Sequence, residues 1–201
     1  MKNIKLILFG IFAVIGIAAP LSIIWKHETV LRHGTTYKFR TKPVDPYDAF
    51  RGKYVVLGFE DDKLDDVKET FIHYNKAVYL RLIVDNDGFA KPTEISWKPL
   101  EGANIIRIDQ ILPEWLFSDD YSNKKKILRI TYPFNRYYLP EDIAPLAEQL
   151  YRRANTRAGG DDRKLDTYVT VKVYKGVGVL EELYLNGVPV REAVKAELEK
   201  N

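Results

Sequence analysis

From Leu6 to Trp25 the chain runs for twenty residues without a charge. Wound as an α-helix rising 1.5 Å per residue, that run is about 30 Å long, the thickness of a bilayer's hydrocarbon core. Lys2 and Lys5 flank one end, and Trp25 and Lys26 flank the other. An interfacial tryptophan and snorkelling lysines are the anchors such a helix needs. Gly10, Gly16 and Pro20 are tolerated in a spanning helix, and the two glycines are not spaced for helix pairing. A cleaved signal peptide would have a shorter apolar core and a small-residue cleavage site. Here Ala18 and Ala19 are followed by Pro20 inside the run, which favours an uncleaved anchor. Residues 1–26 are therefore expected to be a transmembrane anchor in contact with lipid through residues 6–25. Residues 27–201 are expected to form one domain.

Composition narrows what that domain does. Without Lys2 and Lys5, 29 basic residues face 28 acidic ones. A nucleic-acid footprint needs a basic domain with a clustered stripe, so no nucleic-acid partner is expected. The basic run Lys124-Lys125-Lys126 reads as a solvated loop. There is no cysteine, which removes disulfides, thiolate metal sites and thiol nucleophiles. His27, His33 and His73 show no metal-ligand spacing, so neither metal nor cofactor is expected. Ser22 lies within the apolar run with no catalytic signature around it. The adjacent carboxylate pairs, such as Asp161-Asp162 and Glu181-Glu182, fit solvated loops and strand ends better than acid–base chemistry.

Beyond Thr35 the apolar residues alternate. Val78, Leu80, Leu82 and Val84 share one face, as do Leu128, Ile130 and Tyr132, and Val169, Val171 and Val173. A period of two in β-branched and aromatic residues indicates half-buried antiparallel strands. Strands are expected near 35–41, 52–60, 77–85, 92–99, 103–109, 126–132, 167–174, 179–185 and 188–190. Asp85-Asn86-Asp87-Gly88, Lys175-Gly176-Val177-Gly178 and Asn186-Gly187 supply turns. Ile143, Leu146, Ala147, Leu150, Tyr151 and Ala154 recur at helical spacing, with Pro145 in the first turn and Arg152, Arg153 and Arg157 towards the end. Residues 61–75 fit either a short helix or a charged loop. Residues 111–117 are read as a buried turn in preference to an exposed contact patch. The expected fold class is mainly β, a β-rich α+β protein. A transmembrane helix is followed by a curved antiparallel sheet or barrel-like domain with one main helix, because so many strands must hide their edges.

Gly52-Lys53-Tyr54-Val55-Val56-Leu57-Gly58-Phe59, preceded by Asp45-Pro46-Tyr47-Asp48-Ala49-Phe50-Arg51, resembles the signature of the GDYXXLXY protein family. Arg136-Tyr137-Tyr138-Leu139-Pro140-Glu141 is similar to that family's second signature, and Gly178 to Gly187 to its closing hairpin. Lys53 replaces the aspartate of the family's name and Phe59 its last tyrosine, so an activity needing that carboxylate or phenol is not carried over. The resemblance implies a bacterial envelope protein with a single anchor and an extracytoplasmic domain, associated with a multi-pass membrane protein. It supplies no catalytic residue. Charge by itself points the other way, since Lys26, Arg32, Lys38 and Arg40 follow the helix. Long domains, however, translocate largely regardless of such charges.

The first motif is read mainly as architecture: Pro46 and Asp48 shape a turn, Gly52 precedes a strand, and Arg51 pairs with Asp45, Asp48 or Glu141. A second reading groups Asp48, Arg51, Tyr54, Arg136, Tyr137 and Glu141 around an anionic or sugar-like ligand. Arginine offers a planar fork for carboxylate or phosphate, and the tyrosines supply walls and hydroxyls. The expected role is a noncatalytic accessory or binding module. An envelope hydrolase using Asp48, Arg51 and Glu141 is the alternative, and an exported protein without its anchor a third.

Overall fold

The computed structural model describes residues 2–42, 54–64, 77–109, 111–113, 127–155 and 166–200. Helix α1, Lys2–His33, contains the whole uncharged run and continues past Lys26. It is long and apolar enough to cross a membrane, and none of its most apolar window is buried against the rest of the chain. Only Gly34 separates it from strand β1, Thr35–Lys42.

Strand β1 lies inside the largest sheet. With β2 (Tyr54–Val56), β3 (Gly58–Phe59), β4 (Lys63–Leu64), β5 (Val78–Val84), β6 (Ala90–Ser96), β7 (Ile105–Ile108), β8 (Ile111–Pro113), β9 (Leu128–Ile130), β10 (Arg136–Tyr138), β11 (Thr167–Tyr174), β12 (Val177–Leu185) and β13 (Val188–Pro189), four antiparallel sheets form. Their orders are β13-β12-β11-β1-β3, β6-β5-β7, β4-β9-β8 and β10-β2. The expected antiparallel β-rich fold is present as small sheets packed around one core, and no closed barrel forms among the described residues. The expected main helix is present as α2, Ala144–Asn155. A second helix α3, Val190–Leu198, follows the last hairpin and buries Val190 and Val194.

The strand alternation translates into burial. Val78, Leu80 and Leu82 are buried, as are Leu128, Ile130 and Tyr132, and Val169, Val171 and Val173. Val84, at the hairpin end, is exposed instead. At the centre Phe39 meets Phe59, Tyr132 and Phe134 with ring centroids 6.0, 5.4 and 5.2 Å away. Edge-on and tilted rings fill such a core densely while matching their quadrupoles. The charged hairpin tip between β5 and β6 is fastened by Asp85. One oxygen accepts from the N–H groups of Asp87 and Phe89, and the other faces Arg40 and Lys91. These bonds, the Phe89 N–H above all, hold its carboxyl below the usual range.

A buried polar chain fixes α2 to the main sheet. Thr41 donates to Thr167, Thr167 donates to the Asn155 side-chain oxygen, and the Asn155 amide donates to the Tyr151 carbonyl. The Tyr151 hydroxyl closes the chain on the Lys42 carbonyl at 2.9 Å. Every member is satisfied, the condition under which buried polar groups specify a packing instead of weakening it.

Residues 111–117 were expected to make a buried turn. Ile111–Pro113 is strand β8, paired with β9, and the remainder lies outside the described residues. Of residues 61–75, Lys63–Leu64 is strand β4 and residues 65–75 lie outside the described residues.

Candidate functional site

The second motif enters the fold as strand β10. It pairs antiparallel with β2, setting Arg136 opposite Val56, Tyr137 opposite Val55 and Tyr138 opposite Tyr54. Successive side chains of a strand leave on opposite faces. Tyr137 therefore turns inward and is buried, while Arg136 and Tyr138 project outward together. The Tyr54 and Tyr138 rings lie 5.4 Å apart, and the Arg136 guanidinium stands 5.1 Å over the Tyr54 ring. A flat cation over a phenol ring is attracted by the ring's electron-rich face and held in a fixed orientation.

The six expected ligand residues thus separate. Tyr54 and Arg136 share one surface. Tyr137 belongs to the interior, where its hydroxyl donates to Glu182, whose same oxygen accepts the Leu183 N–H at 3.0 Å. Glu141 is exposed in the turn before α2. Asp48 and Arg51 lie outside the described residues.

Burial first, and then the bond to Glu182, push the Tyr137 hydroxyl up to about 12. Burial does the same for Tyr151, also to about 12. A tyrosine in the unfolded chain titrates near 10, so the folded state holds these protons more tightly. The resulting stability is complete below pH 10 and is lost as pH rises through about 12. Unfolding followed by urea titration between pH 9 and 12 is expected to show this alkaline fall. Tyr137→Phe is expected to flatten it, at a cost near neutrality of about 1 kcal/mol for the lost hydrogen bond. An identical alkaline slope in the variant would contradict this assignment.

Arg136 and Tyr138 also border a cavity of about 370 Å³. Lys26 and His27 of α1, Arg107 of β7 and the β11–β12 hairpin from Gly176 to Leu180 line it as well. Backbone geometry brings these together. Residues Lys175 and Gly176 take the left-handed conformation that closes a two-residue hairpin turn, and the Gly176 carbonyl accepts the Arg107 N–H at 2.8 Å. Gly178 is pressed on Phe134, where a side chain would bring a carbon within 2.9 Å of the ring. The cavity wall holds three permanent cations against one carboxylate, Asp109, which sits 3.3 Å from Arg107. Sequence reading placed Arg136 among ligand residues but took Lys26 only as a membrane-edge anchor and overlooked Arg107. Their adjacency is created by contacts between distant segments.

His27 and His33 are exposed. Ser22 donates to the Ala19 carbonyl of its own helix at 2.7 Å. Among the described residues no cluster of three acidic or histidine side chains is arranged to hold a metal.

These features define a class: a β-rich domain carried on one helix able to cross a membrane, with a basic cavity where the two meet. Residues 17–183 match the family model described as GDYXXLXY protein. The chain belongs to that family. Comparison with curated proteins and with solved structures returned no match.

Proposed function

We propose that this protein is a single-pass envelope protein whose extracytoplasmic domain is a noncatalytic accessory module for a multi-pass membrane protein. One observation carries the reading: the stiff junction between α1 and β1. The Gly34 N–H continues the helical bonding to the Val30 carbonyl at 2.8 Å, and Val30 is buried. The last turns of α1 therefore rest on β11 and β12. Lipid tethering alone is served equally well by a loose linker. A stiff junction fixes which side of the helix accompanies which side of the domain, and that relation matters to a partner touching both.

Photo-crosslinking residues installed at Phe12, Leu21 and Tyr138, all exposed, test this in native membranes. The expected result is a discrete protein adduct, of the same partner, from one helix face and from the domain. Lipid adducts alone at all positions would contradict the proposal. The alternative reading, a hydrolase or small-anion site around Arg51, Arg136 and Glu141, draws support for its anion-binding half from the cations around Arg136. Glu141 does not line that cavity.

A further inference from the structure

We infer that the cavity bounded by Lys26, Arg107 and Arg136 binds the phosphodiester headgroup of an anionic phospholipid. The inference specifies the anion reading of Arg136, and it requires only that residues 6–25 cross the bilayer. It is independent of the protein partner.

Depth comes first. Lys26 is the first charged residue after the uncharged run, and it lines the cavity together with His27. If residues 6–25 fill the hydrocarbon layer, these two lie within about 3 Å of its edge along the helix. The cavity therefore opens at the level of lipid phosphates. The exposed rings of Trp25 and Tyr138 suit that same layer.

The chemistry agrees with the depth. Among the described residues neither Lys26 nor Arg136 has an acidic side chain within salt-bridge distance. Arg136 is instead held by the Tyr54 ring, which orients its N–H groups without consuming them. Arg107 shares its charge with exposed Asp109. A planar guanidinium and an ammonium bordering one cavity present several donors to a group with two anionic oxygens. The wall is also partly apolar, through Phe134, Val179 and Leu180, which matches the glycerol and first methylenes of a lipid better than a free ion.

The test uses the full chain assembled in nanodiscs of phosphatidylcholine with a fifth phosphatidylglycerol, released into detergent and weighed by native mass spectrometry. The wild-type chain is expected to retain phosphatidylglycerol over phosphatidylcholine. Lys26→Gln combined with Arg136→Gln is expected to lower that retention roughly 25-fold, at about fivefold per cation near an anionic surface. Lys5→Gln, at the other end of the same helix, is expected to leave it unchanged. Both altered cavity residues are exposed, so the variant's melting temperature is expected to stay at the wild-type value, separating lost binding from lost folding. Millimolar inorganic phosphate, the free-anion probe, is expected not to displace the lipid. Equal retention by the double variant would overturn the inference. So would equal loss in Lys5→Gln, or displacement of the lipid by inorganic phosphate, which would assign the cavity to a free anion. None of these failures touches the partner reading, whose crosslinks are scored separately.

Discussion

Phe39→Ala is expected to remove about 3–5 kcal/mol of domain stability, the largest effect of any single substitution considered for this protein. Phe39 is 2% exposed and stands in the strand that leads directly out of the membrane helix. Its ring touches Phe59 from one part of the chain and Tyr132 and Phe134 from another. Tyr132 stacks on Phe134 at 5.2 Å and meets Phe59 edge-on at 5.0 Å, so none of these rings moves independently to fill a hole. The cavity therefore persists, and the cost includes lost contacts as well as lost burial. Since domains are stable by only about 5–15 kcal/mol, the variant is expected to accumulate poorly and unfold at much lower urea. Phe39→Leu is expected to recover more than half of the loss. Equal urea midpoints for wild type and Phe39→Ala would show that the ring cluster is not the core.

Gly34→Val is expected to cost about 2–3 kcal/mol and, more tellingly, to uncouple α1 from the sheet. A Cβ at Gly34 would lie 2.5 Å from the Val30 carbonyl oxygen, 3.1 Å from the Lys172 Cβ and 3.1 Å from the Val173 nitrogen. Two of these neighbours are backbone, held by helix and strand bonding, and cannot rotate away. Relief requires the helix end to lift off β11, which exposes Val30 and separates Lys26 from the hairpin side of the cavity. Thermal melting of the full chain is expected to drop by about 4–12 °C, at about 2–4 °C per kcal/mol for a chain of this size. Unchanged melting, together with unchanged protease resistance of residues 26–34, would refute the tight junction.

Much of the fold was readable where a segment carries its own signal. The uncharged run became α1, the valine alternation of 169–173 became the buried face of β11, and the helical spacing from Ile143 to Ala154 became α2. What escaped was structure made by partners. Strand β10 is Arg136-Tyr137-Tyr138, with no apolar alternation of its own, and it is a strand because β2 lies beside it. Strands β4 and β8 are just as short and depend on β9. Helix α3 is a different kind of miss, since Val190, Ala193 and Val194 do show helical spacing after Pro189. The candidate site was half legible. Arg136 and Tyr54 could be picked from their motifs, but Tyr137, chosen with them, is turned inward by strand alternation. Lys26 and Arg107 reach the same cavity only through the helix docking and the Gly176 contact with β7.

The stiffness of the passage from membrane helix to sheet is tested most directly by nitroxide scanning. The chain has no cysteine, so single cysteines can be placed at each position from 24 to 33 without background. In full-length protein reconstituted in bilayers, slow motion is expected at every position, with oxygen accessibility following a helical period and falling to its minimum at Val30. Fast, isotropic motion with no periodicity from 27 to 33 would mean a loose tether, and the placement of the basic cavity at the membrane surface would be wrong.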